Sequence, residues 1–397
     1  MIFLSFLFAP PSGTMLLALF LTACFAAPTH WTHPGVLIGT SQLSFVKSQV
    51  AAGAAPFAAA YAKALASPLA ALNYTAQGPP ASGMIDCGSH SHPNNGCSAE
   101  DADGASAYLH MVLYALTDDP RHAAAAVRTL THYSAALKGY SNSNAPLQAA
   151  WGLSKWSRAA ELAAHLPNVT GFDAAAFTAM LGRTSLPLVV HGSGSNGNWE
   201  LAMVEAALGY AVLAEDAKVF DSAALMWQQR VPAYFYCFQE DGGRPRPAPR
   251  GRPSWYNQTT FSPATSGVAQ ETCRDEGHTT YGIASASNAA ETALLQGLDL
   301  WQPAAQRLAG ALELNAALLL PGAASPPDLC SGRPVDVTSG RSMPSYEVAY
   351  NRLHNAMGLQ LPNVLAHLQG LREQSNTIDA HMCVCETLTF GGAPKKL

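Results

Sequence analysis

The segment QETCRDEGHTTYG (270–282) spaces Glu271, Arg274, His278 and Tyr281 at steps of three, four and three residues. On an α-helix those four lie along one face. Such a face is ordinarily apolar and turned to a core, and a solvated one is ordinarily Lys, Glu and Gln. A guanidinium, an imidazole and a phenol instead suit a wet cleft where charge is neutralised and protons move. A helix read over 266–297 carries an aliphatic face through Ile283, Ala286, Ala290 and Leu294, with Ser285 and Asn288 on the polar side.

A second segment, HGSGSNGNWELAMVEAALGY (191–210), is a Gly/Ser/Asn turn running into a helix. Asn198 stands where an N-cap would be. Either its carboxamide caps the helix, or it faces an anion at a helix start, where negative charge is favoured. Trp199 beside it, with Trp151 and Trp255, offers a ring for stacking on a sugar or packing in a core. In SYEVAYN (345–351), Tyr346 and Tyr350 are four residues apart, and Tyr350 and Asn351 are candidate subsite residues with core or cap roles as the alternative. Arg244, Arg246, Arg250 and Arg252 fall in one Pro-rich loop, either a solvated loop or a rim for a polyanion.

The chain shows no Ser-His-Asp pattern, no HExxH, no phosphate loop and no facing carboxylate pair for glycoside hydrolysis. Asp275 and Glu276 are neighbours in sequence and so do not share a helix face. Asn, Arg, His and Tyr together suit β-elimination from a uronate. A carboxamide and a guanidinium neutralise the carboxylate and make the C5 proton removable. A His or Tyr takes that proton, and a Tyr hydroxyl protonates the departing O4. This chemistry needs no metal and no organic cofactor. An all-α hydrolase of uronic sugars and a non-catalytic polyuronate-binding protein are the alternatives.

These residues need a scaffold. The segments 41–66, 100–117, 121–138, 146–165, 173–181, 199–215, 217–229, 266–297 and 302–320 read as helices, broken at DDP, SNSN, LPN, GSGSNGN and DGGRPRP. No run of alternating strands appears. Antiparallel helix pairs in an all-α incomplete toroid fit best, as one domain over 28–370 with a C-terminal tail at 371–397. Residues 1–27 read as a signal peptide, with MLLALFLTACFAA as its apolar run, which places the protein in a secreted or periplasmic setting. No later run reaches the length of a membrane span, so no membrane association is expected after signal removal. The net charge of −5 excludes a generally basic nucleic-acid binder. Three N-x-S/T sequons stand at Asn73, Asn168 and Asn257. Of eight cysteines, Cys87 and Cys97 flank a Pro-Asn-Asn-Gly turn, which predicts a disulfide in an oxidising compartment. A metal site with His90 and His92 is the alternative.

HPGVLIGTSQLSFVKSQVAAGAAPF (33–57), CGSHSHPNNGC (87–97), LQAAWGLSKWSRAAEL (147–162), SNGNWELAM (195–203), RVPAYFY (230–236), QETCRDEGHTTYG and SYEVAYNRLHN (345–355) together resemble the alginate-lyase superfamily of secreted polysaccharide lyases. The resemblance implies an α/α toroid and an anionic polysaccharide as substrate. It implies that Asn198 neutralises the substrate carboxylate, that Arg274 orients substrate and stabilises charge, and that Tyr281 is the catalytic tyrosine. Better-known members carry a His directly after that Asn, where this chain has Trp199. The base is then His278 from the neighbouring helix, or Tyr281 acting as both base and acid, with His191 a weaker rival. The same departure leaves glucuronan and other polyuronates beside alginate.

Overall fold

A computed structural model describes residues 28–194, 197–249, 254–338, 340, 345–374 and 384–394. The expected signal peptide, Arg250 and Arg252 lie outside these residues. The helices are α1 Thr40–Ala51, α2 Phe57–Ala66, α3 Cys97–Thr117, α4 Pro120–Ala136, α5 Ala145–His165, α6 Ala174–Thr184, α7 Leu186–Val189, α8 Gly197–Ala214, α9 Ala217–Tyr234, α10 Phe238–Asp241, α11 Glu276–Leu295, α12 Trp301–Leu319, α13 Glu347–Tyr350, α14 Pro362–Glu373 and α15 Glu386–Phe390. A π-helix, Asn351–Ala356, continues α13.

Asp119, Asp173, Asp216 and Asp275 each accept a backbone N–H in the first turn of the helix that follows, so the acids at the sequence breaks are helix starts. The expected helix 41–66 is two helices, divided by Gly53 in a left-handed conformation and by Pro56. The expected helix 266–297 begins only at Glu276, because Asp275 is extended (φ −171°, ψ 154°) and caps it. Glu271 and Arg274 therefore sit in the turn before the helix, and only His278 and Tyr281 keep the predicted helical face.

Helices α3, α5, α8 and α11 pack side by side in that order, with α4, α9 and α12 behind them. The inner helices are buried on nearly every side, their charged residues included. This is the incomplete α/α toroid. The inner helices run in the same direction: Gln148 Nε2, near the start of α5, donates to Cys97 O at the start of α3, and Asn288 Nδ2 of α11 donates to Glu205 Oε1 of α8. Strand β1 (Met84–Cys87) pairs antiparallel with β2 (Asn94–Asn95) and parallel with β3 (Gly139–Ser141).

Residues 384–394, within the segment expected as a tail, behave otherwise. Val384, Cys385, Leu388 and Phe390 are buried, and α15 packs on α1, α2 and α13. Its apolar residues belong to the domain core.

Candidate functional site

The N-terminal ends of α5, α8 and α11 converge, and the predicted residues meet there. Glu271 is fully buried and organises the site. Its Oε2 accepts from Asn198 Nδ2 at 2.6 Å, from Asn198 N at 3.3 Å and from Tyr234 Oη at 3.1 Å. Its Oε1 accepts from Arg274 Nη1 at 3.1 Å. A buried carboxylate is tolerated only when paired and hydrogen-bonded, and this one has both kinds of partner. Asn198 lies in the first turn of α8 and donates its carboxamide to Glu271.

Tyr234 explains how the elements close on one another. A Cβ on Gly197 would stand 1.9 Å from Tyr234 Cδ2, and one on Gly282 would stand 2.5 Å from Tyr234 Cε1. Only glycine lets this ring pass between the starts of α8 and α11. Burial, then the charge of Glu271, pushes the Tyr234 phenol well above its ordinary value, so it stays a donor to that carboxylate.

Above this buried layer lie the partly exposed groups. Arg274 is one-quarter exposed (25%), and its guanidinium lies 5.7 Å from the centre of the Tyr256 ring. Asp275 holds His278 twice: Oδ1 accepts the His278 backbone N–H at 2.8 Å, and Oδ1 and Oδ2 lie 2.8 and 2.6 Å from Nδ1. Burial pushes the Asp275 carboxyl up; the His278 hydrogen bonds and the Arg274 charge outweigh that and hold it below its ordinary value. The carboxylate thereby fixes Nδ1 as the proton-bearing nitrogen. It leaves Nε2 of the imidazole (31% exposed) with no partner among the described residues. The Tyr281 ring stands edge-on to His278 at 6.2 Å and lies 5.9 Å from Trp151 of α5. Trp199 is half-buried in the first turn of α8.

Two disulfides brace this end of the barrel. Cys87–Cys97 is formed as predicted, at the start of α3, with an S–S distance of 1.98 Å; His90 and His92 are exposed beside it. Cys273–Cys330 (S–S 2.09 Å) ties the residue before Arg274 to a distant loop. The same stretch accepts the first amide of α11, Glu276 N, on Asp336 O at 2.8 Å. Cys237 and Cys385 are free and buried.

Other candidates fall elsewhere. Tyr350 is buried and stacks on His354 at 4.7 Å. Asn351 donates to Gly392 O at 3.2 Å and accepts from Asn355 at 2.9 Å. Asn351 lines a cavity of about 450 Å³ with Thr32, Glu291 and Leu295, at the C-terminal end of α11. His278 and Tyr281 occupy the first two turns of that helix, so Asn351 lies away from this cluster. Trp255 packs edge-on against Phe261. Arg246 pairs with Glu240 and Asp241, which removes it from the expected positive rim; Arg244 is exposed. His191 is exposed in its turn. The residues missed in sequence are Asp275, readable as an N-cap three before a His, and Tyr234 and the Cys273–Cys330 pair, whose partners are far away in the chain.

The fold defines the class: an α/α toroid of the alginate-lyase type. It is shared with alginate lyase A1-III from Sphingomonas species A1 (TM-score 0.60, 15% identity, 89% of this chain and 95% of that one). A tyrosine-to-phenylalanine variant of A1-III complexed with tetrasaccharide matches equally well (TM-score 0.60, 16% identity, 89% and 94%). An alginate lyase from Bacteroides ovatus matches over 90% of this chain and 99% of that one, at TM-score 0.55 and 12% identity. No protein-family model and no curated protein sequence matches the chain.

Proposed function

We propose that the protein is a polysaccharide lyase that cleaves a polyuronate by β-elimination. The observation that carries the reading is the Asn198–Glu271–Arg274 array beneath His278 and Tyr281. Glu271 aligns a neutral donor and a cation at the ends of three inner helices, where the helix dipoles add positive potential. A uronate carboxylate fits this environment, and neutralising it makes the C5 proton removable.

His278 is the stronger choice of base. With Nδ1 held by Asp275, Nε2 offers its lone pair, the arrangement by which a carboxylate orients a catalytic imidazole elsewhere. Tyr281, in the adjacent turn, then protonates O4 as that oxygen leaves. Here the imidazole comes from α11, which compensates for Trp199 in the position after Asn198. Trp199 and Trp151 supply ring faces for neighbouring sugars. Secretion into an oxidising compartment accords with the two disulfides and with exposed sequon residues Asn73, Asn168 and Asn257. Among the described residues no helix is long and apolar enough to cross a membrane.

The test is to incubate purified protein with polymannuronate, polyguluronate and glucuronan and follow ultraviolet absorbance of unsaturated ends. A rise on at least one substrate supports the reading. Tight binding without turnover on all three, or cleavage without absorbance, would reject it.

A further inference from the structure

The geometry points to a binding site for one divalent transition-metal ion, zinc by donor type, formed by His33, Glu161 and His165, with Glu215 beside the other nitrogen of the His33 ring. The site lies at the end of the toroid opposite the catalytic cluster. His165 is the last residue of α5, Glu161 lies one turn before it, and Glu215 directly follows α8. His33 comes from the leading segment that crosses these helix ends.

The distances already describe a cluster. His33 Nδ1 is 2.5 Å from Glu161 Oε1, and His33 Nε2 is 3.4 Å from Glu215 Oε1. His165 Nε2 is 3.9 Å from Glu161 Oε2. One ligand atom from each of His33, Glu161 and His165 lies within 4.8 Å of the other two. A tetrahedral zinc site with bonds of about 2.0–2.1 Å sets its ligand atoms roughly 3.3 Å apart, so these three atoms close on an ion by shifts of about 1.5 Å or less.

The second observation is an unmet demand. Glu161 is buried (1% exposed side chain), and its Oε2 has no hydrogen-bond partner. His33 and the Gly35 N–H serve only Oε1. A buried carboxylate oxygen without a donor is costly. A cation between Oε2 and the two imidazoles removes that cost. The C-terminal ends of α5 and α8 add negative potential at the same place. Two imidazoles and carboxylate oxygens form a donor set typical of zinc.

Binding requires one movement. The His33 and His165 rings are stacked, 4.0 Å apart and 10° from parallel, whereas an ion lies in the plane of each imidazole that binds it. His165 is one-third exposed (34%) at a helix end and is free to turn. In the absence of metal, the hydrogen bond to Glu161 holds the His33 imidazole above its ordinary value, against burial. The bound ion would fasten the leading segment to the helical bundle.

To test this, purified protein is stripped with chelator and titrated with Zn²⁺ by calorimetry and thermal unfolding. One equivalent should bind, and Tm should rise by about 3 °C at a hundredfold excess over Kd. Co²⁺ in its place should give the visible absorption of a tetrahedral centre. His165→Ala, a change at a partly exposed helix end that leaves the fold intact, should abolish both the Tm rise and the cobalt spectrum, and His33→Ala should do the same. Absence of saturable uptake, or uptake unchanged in a His33→Ala/His165→Ala double variant, would overturn the assignment. Both readouts are independent of lyase turnover.

Discussion

The two ends of the inner helices make opposite demands on charge. At their N-terminal ends, a buried Glu271 is neutralised by Asn198, Tyr234 and Arg274, and the surface above it carries Arg274 and His278. At their C-terminal ends, a buried Glu161 has one oxygen unmet and faces two imidazoles. The same device, a carboxylate buried in the toroid wall, lies under donors and a cation at one end and beside two imidazoles at the other. What separates them is the direction of the helix dipoles and the number of donors each carboxylate receives.

The largest effects should come from the N-terminal end. Tyr281→Phe and Asn198→Ala should each lower turnover on the best polyuronate by about 100-fold or more, with the fold intact by circular dichroism. Little change in KM is expected for Tyr281→Phe, because only a proton-carrying hydroxyl is lost. Near wild-type turnover in Tyr281→Phe would remove this tyrosine as proton carrier. His33→Ala should leave turnover unchanged, and a large loss there would merge the two ends into one functional unit.

His278→Ala and Asp275→Asn sharpen the chemistry of that end. If Asp275 holds the imidazole as base, both should lose about 10- to 100-fold in kcat. A mild loss in both would return base and acid roles to Tyr281 alone. Next in size, Cys273→Ser with Cys330→Ser should lower kcat about 10-fold, since a small displacement of Arg274 is costly. The zinc-dependent rise in Tm should survive that change.

The helical toroid was legible because its helices are rich in Ala and Leu at helical spacing and its breaks carry Asp caps. Four residues picked out by type and by the resemblance, Asn198, Arg274, His278 and Tyr281, lie at the same end of the inner helices. The ion pair between Glu271 and Arg274 forms in the turn before α11, and the bond from Glu271 to Asn198 spans 73 positions and has no local signal. The helical stripe failed at Asp275, where a cap outweighed periodicity. Cysteine pairing across 57 residues is set by the fold and not by the sequence pattern.

The smallest effect concerns stability. Burial pushes the Glu386 carboxyl up from 4.5 to about 8. Between those values the folded state keeps a proton that the unfolded chain has lost, so the contribution of this group to stability falls as pH rises. Glu386→Gln should gain on wild type in Tm between pH 5 and pH 8, a window about as wide as the shift itself. A constant difference across that range would show that Glu386 does not titrate there.

The central claim is elimination at the N-terminal end of the inner helices, and a product ratio tests it most directly. During digestion of the best polyuronate, new reducing ends and new unsaturated ends are counted in parallel. The account predicts one unsaturated end for every reducing end at all times, and loss of both in Asn198→Ala. Reducing ends that accumulate without unsaturation would mean hydrolysis and would contradict it.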